Sequence, residues 1–157
     1  MTDQRQEHEH TNIRVRAWRS VLETYNALLP VMDSELRSEQ HLDVQVYDVL
    51  LHTFEAGPMG IRMTDLARKV LLTKSGLTAR VDKLEEGGLL ERVPDPEDRR
   101  ATRIRLTDTG AAVFKKAADF HLSSIERHFS SRISEKEARV ICGALERVHG
   151  AFADPVS

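Results

Sequence analysis

From Val15 to Leu36 the apolar residues recur three or four positions apart: Val15, Trp18, Val21, Leu22, Tyr25, Leu28, Leu29, Met32 and Leu36. That spacing predicts one long amphipathic helix, with a kink or break at Pro30, whose ring removes a backbone donor. Asp43 suits the cap of a second helix, whose inner face is Val46, Tyr47, Leu50, Leu51 and Phe54 and which Gly57-Pro58 ends. Thr64 is expected to cap a short third helix facing inward through Leu66, Ala67 and Val70. After a turn at Leu71-Leu72, Thr73 caps a fourth helix with Leu77, Val81 and Leu84 inside, closed by Gly87-Gly88.

The period then changes. Leu89–Val93 and Thr102–Leu106 read as two short strands, a hairpin around the long tip that contains Pro94-Asp95-Pro96-Glu97-Asp98-Arg99-Arg100. In the second strand Thr102, Ile104 and Leu106 share one face, and Arg103 and Arg105 the other. Thr107 begins a fifth helix carrying Val113, Phe114, Ala117, Ala118, Leu122, Ile125 and Phe129. Ser134 and Glu137 have capping-box spacing and open a last helix that buries Ala138, Ile141, Leu145 and Val148. The order of elements predicts a mainly α fold with a small β-hairpin wing, a winged helix-turn-helix over 43–107 flanked by helices at 12–38 and 108–150. Residues 1–11 lack any periodicity and read as a mobile tail.

Composition narrows the class. A chain of 157 residues that is 40% hydrophobic and 31% charged suits one soluble domain. No apolar run is long enough to span a membrane, and the polar, acidic start is the opposite of a secretion signal. One cysteine, Cys142, cannot form an internal disulfide and fits a reducing cytoplasm. The net charge of −2 hides an uneven distribution: residues 1–61 hold 5 Lys/Arg against 10 Asp/Glu, whereas residues 62–105 hold 11 against 8. A polyanion partner is therefore expected only at the middle third.

The fourth helix has the right surface for one. At about 100° per residue, Leu77, Val81 and Leu84 cluster on one side, and Ser75, Ala79 and Asp82 fall opposite, with Thr78 and Lys83 on the two flanks. The outward face is small and polar near its start, where Thr73, Lys74 and Ser75 stand at the end of a helix that favours phosphate. A plain solvated surface helix would look the same in isolation. The conjunction of short helix, turn, open-faced helix and basic hairpin favours a module whose second helix enters the major groove of double-stranded DNA.

These residues also carry a resemblance. In residues 63–110, the Leu66-Ala67 pair, Ser75-Gly76-Leu77-Thr78, Val81-Asp82-Lys83-Leu84-Glu85, Gly88-Leu89-Leu90-Glu91-Arg92, the Asp95–Arg100 tip and Leu106-Thr107 with Gly110 closely resemble the MarR family of bacterial transcription regulators. The likeness extends over about residues 12–150 and implies a homodimer, built by the N- and C-terminal helices, on a pseudopalindromic operator. It implies base and phosphate contacts from Thr73, Lys74, Ser75, Thr78 and Lys83. It further implies minor-groove insertion by Arg100, oriented by Asp98, with Arg99, Arg103 and Arg105 on phosphates. Ala79 stands where the family often has a larger or basic residue.

The resemblance also implies release by a small effector, often aromatic and anionic. Candidate pocket residues are Trp18, Tyr25, His41, Tyr47, His52 and Arg80, although Trp18, Tyr25 and Tyr47 equally suit the core. No cofactor is expected. A metal-sensing regulator built on Glu39, His41 and His121 is an alternative, although the fifth helix lacks an H-x-x-x-H pair; Glu7, His8, Glu9 and His10 could chelate a metal but read as tail, since metal sites need ligands from a fixed scaffold. Cys142 reads as an inert thiol. An adaptor that uses protein contacts alone is the rival from another class. No nucleophile or phosphate-binding motif points to an enzyme.

Overall fold

The computed structural model describes residues 12–70, 72–98 and 100–153, in two compact units, Met1–His121 and Leu122–Ser157. The tail and the Glu7–His10 run therefore lie outside the described residues. In the first unit α1 spans Ile13–Gln40, α2 Val44–Glu55, β1 Ile61–Arg62, α3 Met63–Lys69, α4 Lys74–Glu86, β2 Leu90–Pro94 and β3 Thr102–Leu106. Helix α5, Asp108–His128, crosses into the second unit, which also holds α6, Glu135–Ala153.

Helix α1 runs through Pro30 without a break. Pro30 is exposed, so the carbonyl it leaves unbonded, that of Asn26, sits on a turn that is open to solvent. Asn12 caps its start at 2.9 Å from the Arg14 N–H, and His41 ends it in the left-handed region at φ 57°. Asp43 caps α2 as its sequence position predicts, accepting the Val46 N–H at 2.7 Å. Asp33 reaches over from α1 to accept the Val44 N–H at 2.8 Å, so two carboxylates start one helix.

The core is Leu36, Tyr47, Val49, Leu50, Ile61, Leu66, Val70, Leu77, Val81, Leu84, Leu90, Ile104, Phe114 and Ala117. Two expectations change here. Val49 rather than Val46 is fully buried, and Phe54 is exposed, although its ring stacks on Phe114 with centroids 4.8 Å apart. Helix α3 starts at Met63 with no side-chain cap, and Thr64 sits exposed in its first turn. Its entry is set by β1, which runs straight into it.

That two-residue strand is an element that periodicity could not show. It pairs antiparallel with β3, Ile61 opposite Ile104, while β2 pairs with β3's other edge, Leu90 opposite Leu106. Gly60, at φ 69°, makes the approach possible: a Cβ there would lie 2.5 Å from the Ile104 carbonyl oxygen. At the far end of the hairpin Thr107 joins three elements. Its hydroxyl donates to the Gly88 carbonyl at 2.6 Å and accepts the Gly110 N–H at 3.0 Å, capping α5.

Other large apolar side chains are left open. On α1 these are Ile13, Trp18, Val21, Leu22, Tyr25 and Val31, with Trp18 61% and Tyr25 49% exposed. Neither of those aromatics belongs to the core. In the second unit Ser134 and Glu137 form the capping box, and Val140, Ile141, Leu145, Val148 and Phe152 are exposed on α6. Ile141, Leu145 and Val148 were expected inside and are exposed instead. Cys142 is exposed.

Candidate nucleic-acid interface

Helix α4 sorts its residues as the helical wheel predicts. Leu77 and Val81 are fully buried, whereas Thr73, Lys74, Ser75, Thr78, Ala79 and Lys83 are exposed. The Thr73 hydroxyl accepts the Gly76 N–H at 3.1 Å, which fixes the helix start, and the Thr78 hydroxyl donates back to the Lys74 carbonyl at 3.1 Å. Among the described residues no ion pair engages Lys74 or Lys83. The helix thus presents two uncommitted ammonium groups and three hydroxyls beside its positive end.

Two arginines hold that face in place. Arg80, which the sequence offered as a pocket residue, donates to Asp43 and to Gln45 Oε1, each at 2.6 Å, joining α4 to the capped start of α2. From β2, Arg92 donates to Asp82 at 2.6 Å and also bonds Glu85, so the wing's first strand is tied to the same helix. The Asp82 hydrogen bond, with smaller attractions to Glu85, raises the Arg92 pKa against the cost of its burial. Asp82 falls on the outward face but serves this brace.

The wing is organised by a residue that the sequence reading did not single out. Asp95 is buried, with its Oδ2 2.5 Å from Arg62 Nε and 2.9 Å from Arg103 Nε, and its Oδ1 accepts the Glu97 N–H at 2.8 Å. The Arg62 hydrogen bond, then the Glu97 amide and Arg103, hold its carboxyl well below the usual carboxylate range despite burial. Arg103 also donates to the Gly60 carbonyl at 3.3 Å, and Arg105 pairs across the hairpin with Glu91 at 2.7 Å.

Arg103 and Arg105, expected on phosphates, are therefore engaged within the sheet. Asp98 does not bond the Arg100 guanidinium. It accepts the Arg100 backbone N–H at 2.9 Å, while its carbonyl accepts the Ala101 N–H at 2.9 Å, a turn that shapes the tip. Arg100 is exposed and, among the described residues, in no ion pair; Arg99 lies outside the described residues.

A cleft of about 350 Å³ opens between α1, α2, the turn at Leu72 and α5. Of the six candidates, Tyr25 and Tyr47 line it, while Trp18, His41, His52 and Arg80 do not. His41 terminates α1, His52 lies between Asp48 and Glu55, and Arg80 holds α2. His121, named from the sequence only as a metal-ligand candidate, lines the cleft as well. It stacks on Tyr47, centroids 4.6 Å apart, and its buried Nδ1 has no hydrogen-bond partner. Burial depresses its pKa. No cluster of three or more metal-ligating side chains occurs among the described residues.

Comparisons with known proteins agree with this geometry. The family model described as MarR family matches residues 42–101. The chain is 33% identical over 112 residues to the HTH-type transcriptional regulator PecS of Dickeya dadantii, covering 71% of this chain and 67% of PecS. Two solved structures from Streptomyces coelicolor superpose with TM-scores of 0.77. AbsC, a MarR family transcriptional regulator, is 26% identical, with 98% of this chain and 97% of AbsC covered. Sco3205, another member, solved in complex with DNA, is 27% identical, with 88% and 86% covered. With its winged module, its open recognition helix and these relatives, the chain belongs to the MarR family and is a DNA-binding transcriptional regulator, not an enzyme.

Proposed function

We propose that two copies of the chain act together in the cytoplasm on a pseudopalindromic operator, repressing transcription until a small effector releases them. The carrying observation is the exposed α4 face, where Thr73, Lys74, Ser75, Thr78 and Lys83 stand free of ion pairs while Arg80 and Arg92 brace the helix from behind. Thr78 and Ser75 read base edges, and Lys74 and Lys83 hold phosphates. Ala79 leaves room at the centre of that face.

At the wing, Arg100 reaches the minor groove, with Arg99 beside it on the backbone. Asp98 acts on the shape of the tip rather than on the Arg100 side chain. Arg103 and Arg105 stiffen the hairpin. The helices outside the module, 12–38 and 108–150, serve pairing of the two copies, since α1 and α6 each leave several large apolar side chains in solvent.

Selection of bound duplexes from a random pool tests the reading. An inverted repeat with half-sites about one helical turn apart supports it. Enrichment of single, unpaired half-sites, with a monomer by light scattering, sinks the dimeric reading.

A further inference from the structure

The cleft has a distinctive polar inventory. Its walls are Tyr25 and Leu29 from α1, Val44, Gln45, Tyr47, Asp48 and Leu51 from α2, with Leu72 and His121. Among the described residues that line it, Asp48 is the one carboxylate. No lysine or arginine lines the cleft, and the neighbouring Arg80 is already bound to Asp43 and to Gln45 Oε1. One turn along α2, His52 Nε2 lies 3.4 Å from Asp48 Oδ1, but its other ring nitrogen is 3.1 Å from Glu55, so two carboxylates flank that histidine.

The one charged group of the cleft is poorly solvated. Burial, aided by Glu55 and opposed by His52, raises the Asp48 pKa, so its carboxylate lacks solvation that a donor or cation would restore. His121 and Tyr47, their ring centroids 4.6 Å apart, give the cleft an aromatic wall. An aromatic carboxylate would bring a second negative charge into this space and find no cation.

We infer that the cleft takes a planar aromatic ligand with N–H donors and no negative charge, an aromatic amine or amidine, anchored on Asp48. The inference deepens the effector reading and rests on it for its regulatory meaning, although ligand binding itself is measured separately.

Benzamidine, phenol and benzoate, which share a ring and differ in charge, are the probes. Calorimetric titration of the full chain near neutral pH is expected to rank benzamidine first, about tenfold or more tighter than benzoate. Asp48→Asn is expected to remove that preference and weaken benzamidine about tenfold. Because the ranking on the unmodified chain needs no variant, a poorly folding Asp48→Asn leaves the test intact. Benzoate binding as tightly as benzamidine, no benzamidine binding at millimolar concentration, or an unchanged affinity in folded Asp48→Asn would overturn the inference.

DNA release, followed by anisotropy of a labelled operator, separates the two readings. Benzamidine that binds without releasing DNA removes the effector role and leaves the ligand class standing. Benzoate that releases DNA while benzamidine is inert removes the ligand class and leaves the effector role.

Discussion

Arg80, on the recognition helix, donates a 2.6 Å hydrogen bond to Asp43, the residue that caps α2. The two are 37 positions apart, and the same guanidinium holds Gln45. The contact sets the rotation of α4 about its own axis, hence which side chains face outward. Arg80→Ala is expected to lower stability by about 1–2 kcal/mol in urea titration. It should weaken operator binding further than any loss of folded protein explains. Arg80→Lys should rescue little, because one ammonium cannot reproduce the two-armed fork. Full operator affinity in folded Arg80→Ala would show that α4 needs no such tie.

Asp95 governs the acid limb of stability. Its folded pKa is depressed, so its contribution is complete above the unfolded value, about 3.9, and is lost as pH falls from there through the folded value. Asp95→Asn is expected to lower the melting temperature at pH 7 and to flatten its fall below about pH 4. An unchanged acid limb in the variant would assign that limb to other carboxylates.

The arginines of the wing separate by partner. Arg100→Ala should leave the melting temperature unchanged and reduce the slope of log affinity against log salt by about one if it meets a phosphate. A loss that instead follows A·T content at the site edges marks groove reading. Arg103→Ala should lower thermal stability, since it strips Asp95 and the Gly60 carbonyl of a donor. Equal melting temperatures for the two variants would contradict the division of labour.

His121 makes stability fall on mild acidification. Burial lowers its folded pKa, so below about pH 6.5 the unfolded chain takes up a proton that the folded chain refuses. Stability therefore declines as pH drops from about 6.5 toward the folded value and levels off below it. In His121→Phe the decline between about pH 7 and 5.5 should be shallower by one proton's worth. Identical profiles would place the titration on another histidine.

Gly60 and Gly57 share φ 69° but not their surroundings: a Cβ at Gly57 meets nothing within 4 Å, whereas one at Gly60 meets the Ile104 carbonyl. Gly57→Ala should cost about 1–2 kcal/mol, the left-handed penalty alone. Gly60→Ala should cost clearly more and loosen the β1–β3 pairing, seen as faster amide exchange at Ile61 and Ile104. Equal costs would mean that the sheet yields to the methyl group.

Much of the fold was legible along the chain because it follows local rules. Caps at Asp43, Thr73 and Ser134, the buried stripe Leu77–Val81–Leu84 and the alternation along β3 depend on neighbours a few residues away. The open face of α4 followed from the same periodicity, and so did the wing. No break follows at Pro30, because the proline stands at an exposed turn where the lost hydrogen bond is cheap. Trp18 and Tyr25 misled because periodicity identifies an apolar face without saying what covers it.

What the sequence by itself determined, then, was the kind of module and the side of each helix that is apolar, since both are written in spacing. Only the tertiary structure decided which charges are spent. Arg62, Asp95 and Arg103 meet across separations as long as 33 residues, as do Arg80 and Asp43 across 37, and no local pattern encodes such pairing. Charge neutralisation depends on distance in space, so arginines alike in sequence become braces at 80, 92 and 103 and an exposed, unbraced side chain at 100. The same holds for His121, whose buried, unpartnered nitrogen exists only because α5 packs its imidazole on Tyr47.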